Sequence, residues 1–315
     1  MRLAALLASI VLLQAQAPPP TAMPGLKLPL DQLQRQYQHY GVGKRLKPKQ
    51  WPNGARVAVA LSFDVDNATV PLSRANLGSE DLSRGMYGAV DGLPRILRML
   101  DRQRVPASFF IPAVSLALNP EMMQSIQASK RHEIGIHGWI HEHLGVLNNE
   151  HEEQGLLTQS IDALTKAAGK RPVGYRAPSW AMSPFTMGQV KAAGFLYDSS
   201  LMASDDAYEV TIDGVPSGVI ELPIERILDD APYYGAASGS LPSPELVDKI
   251  FRAEFDVAYE EGGLYVLTMH PHYTGHRSRV LWLEKLILYM KSKPGVWFAT
   301  HEEIAQYLKK SLMAQ

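Results

Sequence analysis

Short apolar runs typical of buried β-strands alternate with helical segments along most of the chain, and no other feature constrains the fold as strongly. Residues 56–63 form a compact run of apolar and β-forming residues, which predicts a buried strand. Residues 93–102 predict a helix, because their apolar side chains share one face and Pro94 stands near the start. Further strand-like runs lie at residues 107–111, 133–136, 172–176, 195–198, 219–222, 264–269 and 296–299.

Helix signals fall between these runs. Ser183 and Ser243 are each followed by proline, which predicts a helix N-cap with proline at the first helical position. Thr300 and Glu303 have the spacing of a capping box. Strand and helix alternate without an internal linker or repeat, which predicts an α/β fold of parallel strands with helical crossovers. Seven or eight such units fit a closed or partly closed (β/α) barrel, and a doubly wound open sheet is the alternative.

The N-terminus has the features of a Sec signal peptide. Arg2 gives a positive start, residues 3–13 are apolar but too short to span a bilayer, and small residues follow at 15–17. We expect a signal peptide at 1–17, an arm at 18–50 that lies over the domain surface, and a catalytic domain at 51–315. Export would leave the protein periplasmic or secreted, without a stable membrane span. An uncleaved membrane anchor and an amphipathic N-terminal helix are the alternatives.

Composition excludes several classes of function. The chain has 315 residues and a net charge of -1, so it lacks the basic surface typical of nucleic-acid-binding proteins. It contains no cysteine, which excludes disulfides, thiolate metal sites and cysteine nucleophiles. The hydrophobic fraction of 46% is ordinary for a globular protein with a sizeable core.

Two acidic residues end the first predicted strand. Asp64 and Asp66 are one residue apart, so both side chains point to the same side if the strand continues. Two carboxylates this close repel each other unless a positive charge lies beside them. An Asp-rich turn at the end of a strand is the alternative.

Two histidines follow the strand at 133–136. His137 and His141 are four residues apart, which puts both imidazoles on one face if the segment is helical, as in other zinc sites. Barrel enzymes carry their catalytic groups at the carboxyl ends of the strands, so this position favours function over a polar loop. An aspartate with two histidines and an open position is typical of a catalytic metal rather than a structural one.

Three further strand ends carry groups that a hydrolytic site would use. His270 follows the strand at 264–269 and is a candidate acid or base, because histidine titrates near neutrality. Arg176 could orient a carboxylate and Asp198 could orient a histidine. A hydrogen-bonded structural histidine and a structural ion pair are the alternatives. The histidines without such a placement are predicted to lie at the surface: His132, His143 and His151.

Five motifs occur in the order found in a known enzyme family. They are Ser62-Phe-Asp-Val-Asp66, His137-Gly-Trp-Ile-His141, Arg176-Ala-Pro-Ser-Trp180, Asp198-Ser-Ser-Leu201 and Leu267-Thr-Met-His270. In this ordered set the chain resembles the polysaccharide deacetylases, carbohydrate esterase family 4, which share the nodulation-factor deacetylase homology domain. The resemblance covers about residues 51–310. It implies a distorted (β/α) barrel of seven or eight units.

The resemblance also implies a cofactor and roles for individual residues. A divalent metal, usually zinc, would be held by Asp66, His137 and His141. Asp64 would be the general base, held by Arg176. The remaining roles that the resemblance implies are His270 as the general acid, Asp198 as the residue that tunes it, Leu267 as the lining of the acyl-methyl pocket and Trp180 as a further substrate contact.

The chain departs from the family pattern in two motifs. Val65 separates the usual adjacent aspartates, and the fourth motif lacks its second Asp and its Trp, which puts the usual sugar-binding wall in doubt. Residues 82–89 and 294–301 resemble a branch that includes peptidoglycan-deacetylase-like and allantoinase-like proteins and cyclic-imide hydrolases. That branch implies a homo-oligomer. The sequence leaves open whether His272, His143 and Asp205 contribute to the site.

These observations predict a metal-dependent hydrolase of non-peptide C–N bonds that N-deacetylates an amino sugar in a cell-wall or extracellular glycan. Asp64 would accept a proton from water and His270 would protonate the leaving amine. Three alternatives remain. They are a cyclic amide or imide hydrolase, an iron(II) oxygenase with a two-histidine, one-carboxylate site, and a non-catalytic carbohydrate-binding protein.

Overall fold

The computed structural model describes residues 24–235 and 241–313. The chain divides into a first unit that ends at Tyr37 and a second that begins at Gln38. The first unit contains a 3-10 turn, Pro24–Lys27, and all but the last residue of helix α1, Leu30–Gln38. The predicted signal peptide lies outside the described residues. Within the described ranges, no helix is both long and apolar enough to cross a membrane.

The second unit is built on one large sheet. In the described ranges the sheet has ten strands, and five of its parallel strands end beside the candidate site residues. The strands are β1 (Tyr40–Arg45), β2 (Val57–Asp64), β3 (Ser108–Ile111), β4 (Glu133–Ile136), β5 (Gly174–Tyr175), β6 (Tyr197–Asp198), β7 (Tyr208–Ile212), β8 (Val215–Glu221), β9 (Leu264–Met269) and β10 (Val296–Ala299).

Helices connect the strands and cover the sheet. A π-helical turn, Gly88–Gly92, joins the third of them to the fourth. The helices are α2 (Thr69–Ser73), α3 (Ser79–Tyr87), α4 (Leu93–Gln103), α5 (Ala113–Leu118), α6 (Glu121–Gln127), α7 (Leu144–Leu147), α8 (Glu150–Ala168), α9 (Thr186–Ala192), α10 (Ala231–Tyr234), α11 (Pro244–Glu261), α12 (Pro271–Thr274), α13 (Arg277–Lys291) and α14 (His301–Met313).

Seven parallel strands curl into a distorted barrel. Strands β2, β3, β4, β5, β6 and β8 pair in parallel in that order, and β9 pairs with the other side of β2. The gap between β8 and β9 is bridged at one point, where Asp229 pairs with Thr268. Strand β10 lies outside this ring and pairs with the first half of β2. The predicted α/β fold with a distorted (β/α) barrel is confirmed.

Part of the predicted N-terminal arm is a strand. Residues 40–45 form β1, which pairs antiparallel with β7 at the edge of the sheet. Gly41 and Gly43 allow the close approach, because a Cβ atom at Gly43 would lie 2.7 Å from the backbone oxygen of Glu209. Glycine weakens the hydrophobic alternation that identifies a strand, so the sequence pattern predicts only an irregular arm here.

The core and the helix ends follow the sequence closely. All eight residues of β2 are buried, as expected for a strand covered on both faces. Ser243 caps α11 by accepting a hydrogen bond from the Leu246 amide. The Thr300–Glu303 capping box is present, with both reciprocal hydrogen bonds. The predicted cap at Ser183 is absent, because its hydroxyl donates to buried Glu153 and α9 begins only at Thr186.

Candidate metal centre and active site

The carboxyl ends of β2 and β4 bring two aspartates and two histidines together. Asp64 is the last residue of β2, and Asp66 follows it. His137 Nε2 lies 3.7 Å from Asp64 Oδ2 and 3.5 Å from Asp66 Oδ1. His141 Nε2 lies 3.6 Å from Asp66 Oδ2. Both carboxylates therefore face the same side, as the alternation of the strand predicts.

The segment from His137 to His141 is a loop, not the helix that the four-residue spacing of the two histidines suggested. The Glu142 carboxylate accepts hydrogen bonds from the backbone amides of Trp139 and Ile140 and holds the loop in a tight turn. Gly138 has a φ of 74°, and a Cβ atom there would lie 2.8 Å from both Glu142 and Pro178. The turn thus brings the two imidazoles together without a helix, with ring centroids 5.1 Å apart.

Asp66, His137 and His141 have the chemistry and spacing of a metal-ligand set. One ligand atom from each lies within 4.8 Å of the others, and all three residues are buried. Asp66 Oδ1 is buried without a hydrogen-bond partner among the described residues. His137 Nδ1 lies 2.8 Å from the Arg176 carbonyl oxygen, which leaves Nε2 directed at the centre. This second contact is typical of metal-binding histidines, so the residues fit a divalent cation.

Burial sets the protonation of these three side chains. It lowers the pKa of His137, and it lowers the pKa of His141 to about 4. Both imidazoles are therefore neutral, as metal ligands must be. Burial also raises the pKa of Asp66. A buried carboxylate is costly unless a positive charge compensates it, and a bound cation would supply that charge.

Arg176 fixes Asp64 from the side opposite the metal ligands. The fully buried guanidinium lies 2.7 Å from Asp64 Oδ1 and donates to Ser62 and Ser199. It also stacks 4.1 Å from the Phe110 ring. Burial raises the pKa of Asp64, but Arg176 together with His137 and His270 outweighs this effect and holds that pKa below its ordinary value. Asp64 is therefore an oriented, ionised carboxylate.

A second layer of buried polar residues supports Arg176. His301 Nε2 lies 3.3 Å from an Arg176 nitrogen, and His301 Nδ1 lies 3.0 Å from the Ser108 hydroxyl. Ser108 donates in turn to Glu133, which also accepts from the Tyr197 hydroxyl at 2.6 Å. No motif in the sequence predicts this layer. His301 directly follows the residue that starts the capping box, and its position after strand β10 is the only signal for it.

The partner of His270 is Asp230. Asp230 Oδ1 lies 2.6 Å from His270 Nδ1, while Oδ2 accepts from the His270 amide and from both donors of Thr274. His270 Nε2 points at the centre, 3.7 Å from Asp66 Oδ2. Burial lowers the pKa of His270, but Asp230 and Asp229 outweigh it and hold that pKa well above its ordinary value. The imidazole is thus a cation with one nitrogen toward the metal ligands.

Asp198 does not contact His270, so this part of the sequence prediction is corrected. It lies at the end of β6, where its Oδ1 accepts from Ser200, and it is paired with the buried carboxyl of Glu221. Burial raises the pKa of Asp198 to about 6. The carboxylate that contacts His270 comes instead from the segment after β8. The adjacent pair Asp229-Asp230 was a possible signal, but no strand is recognisable directly before it in the sequence.

A cavity of about 530 Å³ opens above the two aspartates and the histidines. Trp180 lines it, and so does His272. Leu267 does not, because it is fully buried in the core. His143 and Asp205 are exposed and lie outside the lining. The other lining residues are Asp64, Asp66, Asn67, Val70, Pro71, Arg74, Asn76, Asp81, Arg84, Gly85, His137, His141, Ser179, Arg226, Asp229, Ala231, Pro232, His270 and Tyr273.

Two further histidines predicted to lie at the surface, His151 and His132, differ in their exposure. His151 is exposed, as predicted. His132 is half-buried: it packs edge-on against Phe109, with ring centroids 5.2 Å apart. Its two ring nitrogens are buried without partners in the described ranges, and burial lowers its pKa to about 4. Its environment is that of a neutral core residue.

The chain is similar to known proteins in sequence and in fold. Residues 79–197 match the family model for polysaccharide deacetylase. The chain is 30% identical over 289 residues to a peptidoglycan deacetylase of Helicobacter pylori, which covers 81% of this chain and 97% of that protein.

Two solved structures extend the comparison. One belongs to a protein of Mycobacterium smegmatis assigned to the polysaccharide deacetylases. It has a TM-score of 0.78 and 35% identity, over 86% of this chain and 96% of that one. The Puue allantoinase has a TM-score of 0.73 at 22% identity, over 84% and 93% of the two chains, and supports the fold alone. The sequence and the fold together show that the chain belongs to the polysaccharide deacetylase family.

Proposed function

We propose that the protein is a metal-dependent N-deacetylase of an amino sugar in a cell-wall glycan. The observation that carries the proposal is the arrangement around Asp66. Its buried Oδ1 has no hydrogen-bond partner in the described part of the chain and lies 3.5 Å from His137 Nε2, while its Oδ2 lies 3.6 Å from His141 Nε2 and 3.7 Å from His270 Nε2. Three protein ligands with an open position are typical of a hydrolytic metal site.

Asp66, His137 and His141 would hold a divalent cation, most simply zinc, because two imidazoles and one carboxylate suit that ion. When bound, the cation would lower the pKa of a coordinated water and polarise the acyl oxygen. Every other function in the reaction falls to side chains. They must orient the substrate, remove a proton from the attacking water and deliver one to the leaving group.

Asp64 is suited to be the general base. Its Oδ1 is held by Arg176, while Oδ2 lies 3.7 Å from His137 Nε2 and faces the centre. The carboxylate can accept a proton from water without moving, because Arg176 fixes its orientation. Proton transfer by a positioned group of this kind typically contributes about 10²–10⁴-fold to the rate.

His270 is suited to be the general acid. An amine is a poor leaving group unless it is protonated as the C–N bond breaks. His270 Nε2 faces the centre, and the Nδ1 contact with Asp230 fixes the ring and stabilises its charged form. After the transfer, Asp230 would retain the orientation of the neutral imidazole. We assign Asp230 the positioning role that the sequence analysis gave to Asp198.

A relative and the size of the cavity support the proposed substrate. The protein of 30% identity is a peptidoglycan deacetylase, and peptidoglycan carries N-acetylated amino sugars. The cavity of about 530 Å³ lies within the range of ligand sites in proteins and has room for more than a small ring. Trp180 on its wall offers an apolar face for a sugar ring.

We also propose export, with a signal peptide at 1–17 and the catalytic domain at 51–315, and assembly as a homo-oligomer. The supporting observations are the apolar N-terminal run and the resemblance to the peptidoglycan-deacetylase-like branch. N-terminal sequencing of the protein from a periplasmic or culture fraction tests export. A chain that retains Met1 there would contradict cleavage.

A substrate panel tests the proposed reaction. The zinc-loaded protein is incubated with peptidoglycan fragments, chitin oligomers and a set of cyclic amides and imides, and acetate release and ring opening are measured separately. We expect acetate together with an equal amount of free amine. Ring opening without acetate would replace the deacetylase assignment with a cyclic amide hydrolase at the same metal centre.

A further inference from the structure

Two arginines on the cavity wall have no acidic partner among the residues that the structure describes. Arg74, directly after α2, and Arg226, in the segment after β8, both line the cavity. Neither makes an ion pair or a side-chain hydrogen bond with any residue in 24–235 or 241–313. The segments outside these ranges contain no aspartate or glutamate. The two guanidinium groups are therefore available to a ligand.

The acidic residues of the cavity do not neutralise these arginines. Asp64 is paired with Arg176, and Asp81 with Arg84. Asp66 belongs to the metal-ligand set. Burial raises the pKa of Asp229 to about 7. With a divalent cation bound, the wall above the centre carries an excess of positive charge, which favours an anionic substrate.

Arg226 is held in place by the cavity wall. Its guanidinium carbon lies 5.5 Å from the centroid of the Trp180 ring. Ser179 and Trp180 both have positive φ, 53° and 56°, in the tight turn after β5. This backbone is costly for residues other than glycine, and here it directs Trp180 toward Arg226 and the cavity. Stacking leaves the edge of the guanidinium free to donate hydrogen bonds.

Arg74 directly follows α2 and lines the same cavity as His141. The segment that carries Arg74 is anchored beneath the cavity, where the Thr69 hydroxyl donates to the backbone oxygen of Asp66. Arg74 and Arg226 thus come from two different loops that line one cavity over the reaction centre.

We propose that Arg74 and Arg226 form a subsite for a carboxylate on the substrate, so that the preferred substrate is an N-acetylated amino sugar that itself carries a carboxylate. The inference rests on the proposed deacetylase function and narrows its substrate class. A guanidinium binds a carboxylate through two parallel, charge-assisted hydrogen bonds. Neutral N-acetylglucosamine polymers such as chitin lack this group and would bind less tightly.

A pair of ligands that differ only in charge tests the subsite. One is a disaccharide of N-acetylglucosamine and N-acetylmuramic acid, whose lactyl group carries a carboxylate. The other is the methyl ester of the same disaccharide. Affinities are measured by calorimetry on the zinc-loaded D64N protein, in which the proposed base is removed so that turnover does not obscure the heats. Arg74→Gln, Arg226→Gln and Arg98→Gln are each added to that background.

Arg98 is the matched control, because it is an exposed arginine on α4 outside the cavity. We expect the acid to bind about tenfold more tightly than the ester, from charge-assisted hydrogen bonds at a solvent-exposed site. Arg74→Gln and Arg226→Gln should each reduce this preference and leave ester binding unchanged, whereas Arg98→Gln should preserve it. Equal affinities for acid and ester, no binding of either, or an equal loss in Arg98→Gln would each overturn the subsite.

Acetate release by the wild-type protein separates the two claims. Preferential binding of the acid without acetate release would uphold the subsite and contradict the deacetylase function. Acetate release at equal rates from acid and ester would uphold the deacetylase function and contradict the subsite.

Discussion

Asp230 contacts His270 through both of its carboxylate oxygens, one to the imidazole Nδ1 at 2.6 Å and the other to the backbone amide at 3.0 Å. The carboxylate therefore fixes the ring and its backbone together. Thr274 adds two further donors to the same oxygen. A change at Asp230 should thus act on catalysis through His270 alone, because every contact of this carboxylate belongs to the His270 turn.

We expect Asp230→Asn and His270→Ala to slow amide hydrolysis much more than hydrolysis of an activated phenyl ester. Only the amine must be protonated as it leaves, and loss of a general acid typically costs about 10²–10⁴-fold. Initial rates on N-acetylated sugar and on the ester give the ratio. Asp198→Asn is the comparison, since Asp198 pairs with Glu221, and it should leave the ratio unchanged. Equal losses on both substrates would contradict the acid role of His270.

Asp64→Asn should retain the metal and lose most turnover. Asparagine preserves the shape of the side chain but cannot accept a proton, so a loss of about 10²–10⁴-fold in kcat is expected. Metal content and kcat are measured on the same preparation. A metal-free variant would show instead that Asp64 is a ligand. Asp64 lies close enough to the centre for that role, because its carboxylate is 3.7 Å from His137 Nε2.

Asp66→Ala and His137→Ala should each remove the metal. A site with only three protein ligands loses most of its affinity when one is deleted. His143→Ala is the matched control, because this exposed histidine stands in the same loop but outside the cavity. Elemental analysis of the dialysed proteins gives the occupancy. Full occupancy in Asp66→Ala or His137→Ala would exclude that residue as a ligand.

Glu133→Gln should flatten the pH dependence of stability. Burial raises the pKa of Glu133 from 4.5 to about 7. The folded state therefore holds this proton more tightly than the unfolded state. The resulting stability is present below about pH 4.5 and is lost as the pH rises to about 7, a loss of ~3 kcal/mol.

Denaturant unfolding of both proteins at about pH 5 and about pH 8 measures this loss. Glutamine cannot titrate, so the free energy of unfolding should fall less in the variant. Asp198 contributes equally to the pH dependence of both proteins. The difference between their changes in unfolding free energy is therefore due to Glu133. The exposed Glu152→Gln should follow the wild type. Parallel changes in wild type and Glu133→Gln would contradict the prediction.

Local signals in the sequence were sufficient for the barrel and for the group of residues at its strand ends. Asp64, Asp66, His137 and Arg176 each follow or end a recognisable strand, and parallel strands bring such ends together. Asp230 could not be assigned in this way. It reaches His270 by a contact between residues 40 positions apart, from a segment that pairs with strand β9 through the isolated bridge Asp229–Thr268.

Long-range packing also decided the positions that the sequence placed wrongly. Leu267 has the motif spacing of a pocket residue, but its side chain faces the core. His132 looked like a surface residue because its neighbours are polar, yet it packs on Phe109. In both cases the surroundings of the side chain depend on residues distant in sequence, which local patterns do not reveal.

The most direct test of a metal-dependent deacetylase is acetate release from N-acetylated peptidoglycan fragments before chelation, after chelation and after zinc is added back. We predict that acetate and free amine appear in equal amounts, that chelation abolishes both, and that zinc restores both in the wild type but not in Asp66→Ala. Undiminished acetate release by the fully chelated protein would contradict the account.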